Sequence, residues 1–188
     1  MSFNTEKDIK SRLKFLGPNT DQYDLSQILT TGNRKLKSAV GRKVEEELRL
    51  DRREQLVFDL AFTEIESVEN VDFWDEKVPE NEYTVNKETG EVEFNEDWAK
   101  SNYIHSDHRP VIEYVPSIFK ELELMFALEE VMNLASIQTS SDERQAMFEQ
   151  YRERRLELVR SINRKTQNLT SRNRGKTVAS NYNWPGRR

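Results

Sequence analysis

The chain has 188 residues, of which 34% are charged and 35% hydrophobic, and a formal net charge of −5. This length fits one domain with elaborations, and the low apolar content predicts that part of the chain stays extended or orders against a partner. The absence of cysteine excludes disulfides and thiolate metal sites. Because the polar N-terminus lacks a secretory signal and no apolar run could span a bilayer, we expect a soluble protein of the cell interior or of a particle.

Thr5 begins the first predicted helix, which Gly17-Pro18 ends. A second helical segment is predicted from about Asp24 to Leu50, with Gly32-Asn33 breaking or bending it. Its apolar stripe keeps the helical period at Leu25, Ile28, Leu29, Leu36, Val40, Val44 and Leu48. Its other face is basic, which suits either a solvated face or a surface that faces phosphate. The basic residues are Arg34, Lys35, Lys37, Arg42 and Lys43.

The pattern then alternates, as in strands with one buried face. Alternation covers residues 56–63 and 109–115, and between them Tyr83–Val85 and Val92–Phe94 flank a turn that contains Gly90. These segments predict a small antiparallel sheet with a hairpin. Its aromatic residues are predicted to form a minor core. They are Phe73, Trp74, Phe94 and Trp98.

The last third is predicted to be helical again, beginning at Pro116. The following stretch to about Thr139 is apolar nearly all round, which is typical of a helix surrounded by others. Ser140 and Glu143 form a capping box for a final helix whose apolar stripe fades by about Gln167.

The predicted fold class is therefore α+β, mainly α. Residues 1–53 and 116–168 are predicted to form a helical bundle, and residues 54–115 an inserted acidic β-rich lobe. Residues 169–188 are predicted to form an extended basic arm, because they have too few aliphatic side chains for a core.

Charge is unevenly distributed along the chain. Between Glu64 and Asp97, 13 acidic residues face two lysines, whereas from Tyr151 to Arg188 there are 11 Lys or Arg against two glutamates. Such blocks are usually solvated faces. They also permit self-complementary assembly, in which the basic arm of one copy meets the acidic lobe of its neighbour.

The arm combines positive charge with two large aromatic residues before a proline. Aromatic and arginine anchors dominate the energy of many interfaces, so the arm is predicted to bind a groove on a partner. The candidate partner-binding residues are Arg172, Arg174, Lys176, Tyr182, Trp184, Pro185, Arg187 and Arg188.

Neither catalysis nor a cofactor is predicted. Gly175-Lys176-Thr177 resembles the end of a phosphate-binding loop, but Thr170 stands where that motif has its first glycine, and no strand precedes it. His105 and His108 lie in a polar loop without a third histidine or a cysteine to complete a zinc site. We therefore expect no metal site and no enzyme.

The layout resembles the head-tail connector (adaptor) proteins of tailed viruses. The likeness rests on the first helices, the central helix opened by "YVPSIFKELELMFALEEVMNL", the long helix after it and the extended C-terminal segment. The phrase "YTVNKETGEVEF" is similar to a hairpin phrase that recurs in virion structural proteins.

The resemblance implies a virion protein of the neck, assembled in the host cytoplasm. It implies a homo-oligomeric ring, usually dodecameric, whose C-terminal arms bind the portal and whose opposite face receives the next neck or tail component. Genomic DNA would pass through the ring without sequence specificity. The basic residues at 34, 35, 37, 42 and 43 are then candidates for the channel lining.

Two alternatives remain open. A regulatory protein that binds nucleic acid could use the same basic tail, with Tyr182 and Trp184 stacking on bases. The acidic body would repel DNA, which argues against that function. Another neck or tail-completion protein is the second alternative, and the sequence does not separate it from an adaptor.

Overall fold

The computed structural model describes residues 2–13, 23–48, 56–103, 109–136 and 142–177. Within these residues the chain forms five α-helices and two small antiparallel sheets, which confirms the mainly-α α+β class. In chain order the elements are α1 (Glu6–Leu13), α2 (Leu25–Val40), β1 (Val44–Glu47), β2 (Val57–Asp59), β3 (Ile65–Phe73), β4 (Glu76–Lys77), a 3₁₀ turn (Glu80–Glu82), β5 (Tyr83–Asn86), β6 (Glu91–Phe94), α3 (Glu96–Tyr103), β7 (Val111–Pro116), α4 (Ile118–Ser136) and α5 (Asp142–Thr177).

The chain divides into two compact units. The helical unit contains Met1–Arg42 and Pro116–Ile162, and the β unit contains Lys43–Val115 and Asn163–Arg188. The chain therefore enters the β unit directly after Arg42, not at the predicted boundary after residue 53. Helix α5 begins in the helical unit and ends in the β unit.

Helix α4 forms the centre of the helical unit, as its all-round apolar sequence predicts. Its residues from 122 to 128 are all buried, and α1 and α2 pack against it. Helix α2 runs through Gly32-Asn33 without a break, so the predicted break is wrong. A Cβ at Gly32 would lie 3.1 Å from the carbonyl oxygen of Glu123, which shows that the glycine permits close packing of the two helices.

Helix α2 begins and ends at residues suited to those positions. Asp24 caps it by accepting a hydrogen bond from the backbone N–H of Gln27, at 3.0 Å. Gly41 follows its last residue with a positive φ of 86°, which favours glycine. The predicted continuation to Leu50 is wrong, because Val44–Glu47 is strand β1. Residues 44 and 48 are four apart, a spacing that suits one face of a helix and one face of a strand equally well.

The β unit contains one sheet in the order β1-β7-β3-β4 and another in the order β2-β6-β5. The predicted hairpin is confirmed, since β5 pairs with β6 from Tyr83 opposite Phe94 to Asn86 opposite Glu91. The alternating segment at 109–115 is also confirmed as strand β7, whereas only 57–59 of residues 56–63 form a strand. The sequence pattern does not predict strands β3 and β4 or helix α3.

Phe94 is the centre of the aromatic core in the β unit. Its ring stacks on Trp98 at 5.1 Å and meets Phe58 edge-on at 5.7 Å between ring centroids. Phe73 packs edge-on against Trp98 at 5.5 Å. The prediction that Trp74 belongs to this core is wrong, because 55% of its surface is exposed.

Helix α5 continues through Thr177, into the segment predicted to be an extended arm from residue 169. The helical spacing of Ile162, Thr166 and Leu169 carries the packed face of α5 to the start of that segment, since the first and last are buried and Thr166 is half-buried. The predicted cap at Ser140 and the rest of the predicted arm, residues 178–188, lie outside the described residues.

Gly90 ends the turn between β5 and β6 with a φ of 76°, and a Cβ there would lie 2.4 Å from the carbonyl oxygen of Phe62. We expect Gly90→Ala to lower the free energy of unfolding by about 2–4 kcal/mol, because the left-handed backbone and the clash both penalise the methyl group. Urea unfolding followed by circular dichroism measures this loss. Glu88→Ala, at an exposed position in the same turn, is the control and should change stability by less than about 0.5 kcal/mol. Equal stability of the two variants would contradict the prediction.

Candidate assembly surfaces

The residues predicted to bind a partner lie mostly beyond the described part of the chain. Tyr182, Trp184, Pro185, Arg187 and Arg188 are outside it. The backbone of α5 includes the three other candidates, which are Arg172, Arg174 and Lys176. Residues 163–177 contain five Lys or Arg and no acid, and we call this stretch the basic end of α5.

The structure weakens the predicted basic stripe of residues 34–43. Arg34, Lys37 and Arg42 are exposed, but Lys35 forms an ion pair with Glu130 at 2.6 Å. Lys43 donates a hydrogen bond to Glu113, which raises the pKa of the lysine. Two of the five cations are therefore compensated by carboxylates of their own chain. Moreover, Lys43 belongs to the β unit and the other four to the helical unit.

A buried carboxylate lies at the centre of the helical unit. Glu123 of α4 is 0% exposed, and its Oε2 accepts hydrogen bonds from the backbone N–H groups of Phe3 and Asn4, at 2.8 and 2.9 Å. The side-chain amide of Asn4 donates to the same oxygen at 2.8 Å, and that of Asn33 in α2 donates to Oε1 at 2.6 Å. Glu123 thereby attaches the N-terminal segment and α2 to the central helix.

Reasoning from sequence missed Glu123, although a signal was present. The central helix is apolar nearly all round, so a glutamate within it must either reach solvent or find partners inside. Here neutral N–H donors supply those partners, and the carboxylate joins segments that are 90 to 120 residues apart in the chain.

A second buried carboxylate connects the strands of the β unit. Glu46 of β1 accepts a hydrogen bond from the hydroxyl of Tyr114 in β7 at 2.8 Å and from the backbone N–H of Ala61 at 2.9 Å. Burial, with the adjacent Glu46 charge, raises the pKa of Tyr114. The neutral hydroxyl is thus a stable donor that links β7 to β1 through their side chains.

Ion pairs attach the first part of α5 to α4 within the helical unit. Arg155 meets Glu129 at 2.7 Å, and its guanidinium lies 5.2 Å from the ring centroid of Phe126. Both partners of this pair are less than one-fifth exposed, which favours a stronger contact than the more exposed pair of Arg154 and Glu121. Arg154 and Arg155 of α5 therefore stabilise the fold.

Strands β3 and β4 are joined by a two-residue turn, Trp74-Asp75, with φ values of 59° and 60°. Two residues in the left-handed region define a turn that normally selects Asn-Gly or Asp-Gly. A side chain other than glycine costs about 1–2 kcal/mol there. The turn presents Trp74 beside exposed acids, and we call Trp74, Asp75 and Glu76 the hairpin tip.

The described residues contain no group of three or more His, Cys, Asp or Glu side chains that could hold a metal ion. His105 and His108 lie outside them. In the same part of the chain, no helix is long and apolar enough to cross a membrane.

No protein-family model matches the chain, and no curated protein matches its sequence. Its function therefore has to be inferred from the charges, burial and contacts of the residues themselves.

Proposed function

We propose that the chain is a structural virion protein, a head-tail connector (adaptor) that forms a ring under the portal of a tailed virus. The observation that carries this proposal is the separation of charge between the basic end of α5 and the acidic segment from Glu64 to Asp97. Opposite charges on separate segments of one chain favour ordered contact between copies.

The C-terminal arm is the proposed portal anchor. Beyond Leu169 only Val178 and Ala179 are aliphatic, whereas Tyr182 and Trp184 offer large surfaces for an interface. An arm that orders on binding loses conformational entropy, so many arms engaging one portal ring together give a more stable attachment than a single arm. The opposite face of the ring receives the next neck or tail protein.

Genomic DNA is the remaining proposed contact, made without sequence specificity. Four of the channel candidates, Arg34, Lys37, Arg42 and Lys43, are exposed, whereas Lys35 is half-buried. A lining in which carboxylates compensate some of the cations, as Glu130 does Lys35 and Glu113 does Lys43, suits DNA that must slide, because each phosphate neutralised by a cation strengthens binding.

A nucleic-acid-binding regulator is the second candidate, favoured by the five cations and no acids of the basic end of α5. Against it stand the acidic β unit and the pairing of Lys35 with Glu130. Another neck or tail-completion protein would use the same surfaces and differs only in its partner.

The test mixes the full-length protein with purified portal rings of the same virus, without nucleic acid, and images the product by electron microscopy. We expect rings of this chain stacked on the portal, whereas the isolated chain stays monomeric or weakly associated by light scattering. Binding to duplex DNA is measured in parallel between about 50 and 200 mM salt. Tight, salt-sensitive DNA binding without any portal complex would contradict the connector function and support the function as a nucleic-acid-binding regulator.

A further inference from the structure

We propose that the hairpin tip binds the basic end of α5 of a second copy of this chain. The inference rests on the proposed ring, and it names the contact between neighbouring subunits.

The tip is built to display an aromatic ring. Trp74 meets Phe73 edge-on at 6.5 Å between ring centroids and still has 55% of its surface exposed. Its positive φ is unfavourable for a bulky residue, and a tight turn would fold more easily with glycine or asparagine. Turn geometry does not account for a tryptophan here, and the exposed half of its surface is open to contact with another molecule.

The charge around Trp74 specifies the chemistry of the partner. Asp75, Glu76 and Glu80 are all exposed, and the one lysine of this segment, Lys77, lies 4.0 Å from Glu80. A tryptophan face bordered by carboxylates suits a guanidinium group, which stacks on the ring and donates hydrogen bonds to the acids.

The basic end of α5 supplies such groups. Arg164 is exposed and forms no ion pair within the described part of the chain. Further along the helix, the sequence adds two arginines and a lysine without any acid. This charge complements the tip, which is why a second copy is the occupant that we propose.

The geometry of assembly favours the same conclusion. The tip and the basic end of α5 are different segments of the β unit, so a contact of the tip of one copy with the basic end of another is heterologous, and each copy can use both. Repeated head-to-tail contacts of this kind close into a ring when the rotation between copies allows it.

The natural absence of cysteine allows a direct test by cross-linking. Two full-length variants, Asp75→Cys and Arg164→Cys, are mixed in equal amounts on portal rings and in concentrated solution, and treated with a short bismaleimide. We expect mixed dimers between the two variants. In the control, Glu88→Cys in the exposed turn of the other hairpin replaces Asp75→Cys. Its yield of mixed dimers with Arg164→Cys should be about tenfold lower. Equal yields, or no mixed dimer under either condition, would overturn the inference.

Trp74→Gly separates association from folding. Glycine accepts the left-handed backbone, so the variant should be at least as stable as the natural chain in urea, while its self-association weakens about tenfold. Asp75→Gly relieves the other left-handed residue of the turn and keeps the indole ring of Trp74, so this variant should retain most of the self-association. If Trp74→Gly assembles normally on the portal, the tip is not the contact and the connector function stands. If the tip cross-links to α5 but the chain never binds a portal, the connector function fails and the contact stands.

Discussion

Replacing Glu123 by alanine is expected to lower the free energy of unfolding by about 3–5 kcal/mol. The carboxylate is fully buried, and its removal leaves donors from Phe3, Asn4 and Asn33 without their acceptor. Each buried donor without a partner costs about 1–3 kcal/mol, and the shortened side chain also leaves a cavity. Glu123→Gln should lower the free energy of unfolding by less than Glu123→Ala. The amide oxygen of the glutamine still accepts hydrogen bonds, whereas its NH₂ group faces other donors.

Urea unfolding measures this loss, and hydrogen exchange locates it. The amides of Phe3 and Asn4 should exchange faster in Glu123→Ala, since both donate to the carboxylate. Glu121→Ala is the matched control on the same helix, where an ion pair with Arg154 is about half exposed and should contribute less than about 1 kcal/mol.

A double-mutant cycle identifies the partner. Asn33→Ala should be less destabilising in the Glu123→Ala background than in the natural chain, because the Asn33 amide has already lost its acceptor there. Additive losses, or slow exchange at Phe3 and Asn4 in Glu123→Ala, would show that the carboxylate does not hold these segments.

The elements that the sequence predicts well are those whose pattern of apolar residues fits either a helix or a strand, but not both. Helix α4 is apolar nearly all round along its 19 residues, and this pattern is incompatible with a short strand. The β5–β6 hairpin has alternating residues on both sides of a turn that ends in glycine. Both local patterns agree with the tertiary packing, so prediction and structure coincide.

The errors have equally local causes. The spacing of Val44 and Leu48 fits both the helical and the strand period. Only Gly41, which follows α2, and the pairing with β7 determine that this segment is a strand. Trp74 is as apolar as Trp98, and its exposure follows from a left-handed turn that its sequence does not favour. The partners of Glu123 come from segments far away in the chain, which no local pattern could reveal. Such conflicts between local preference and fold are expected where a residue serves another purpose.

Deleting Asn181 to Arg188 is expected to abolish attachment to portal rings and to leave the fold intact. The deleted residues contain no aliphatic side chain, and among the residues whose burial is described the last buried one in α5 is Leu169. Circular dichroism and urea unfolding should therefore match those of the full-length chain. A truncated protein that no longer folds would place the tail in the core instead.

The size of the loss follows from the two aromatic anchors. A hot-spot residue typically contributes about 2–4 kcal/mol, so removing Tyr182 and Trp184 weakens each arm by a factor of about 10³ or more. Pull-down of full-length and truncated protein on portal rings measures this difference. If many arms bind one portal ring together, as we propose, the loss per ring should exceed the loss per arm.

Two full-length variants separate aromatic contact from charge. Tyr182→Ala with Trp184→Ala keeps every cation and should lose portal binding at all salt concentrations. Arg187→Ala with Arg188→Ala keeps both rings and should weaken binding mainly at low salt, because charges at the rim of an interface are screened. If the arginine variant instead loses DNA binding while the aromatic variant still attaches to the portal, the tail binds phosphate and the anchor must lie elsewhere in the chain.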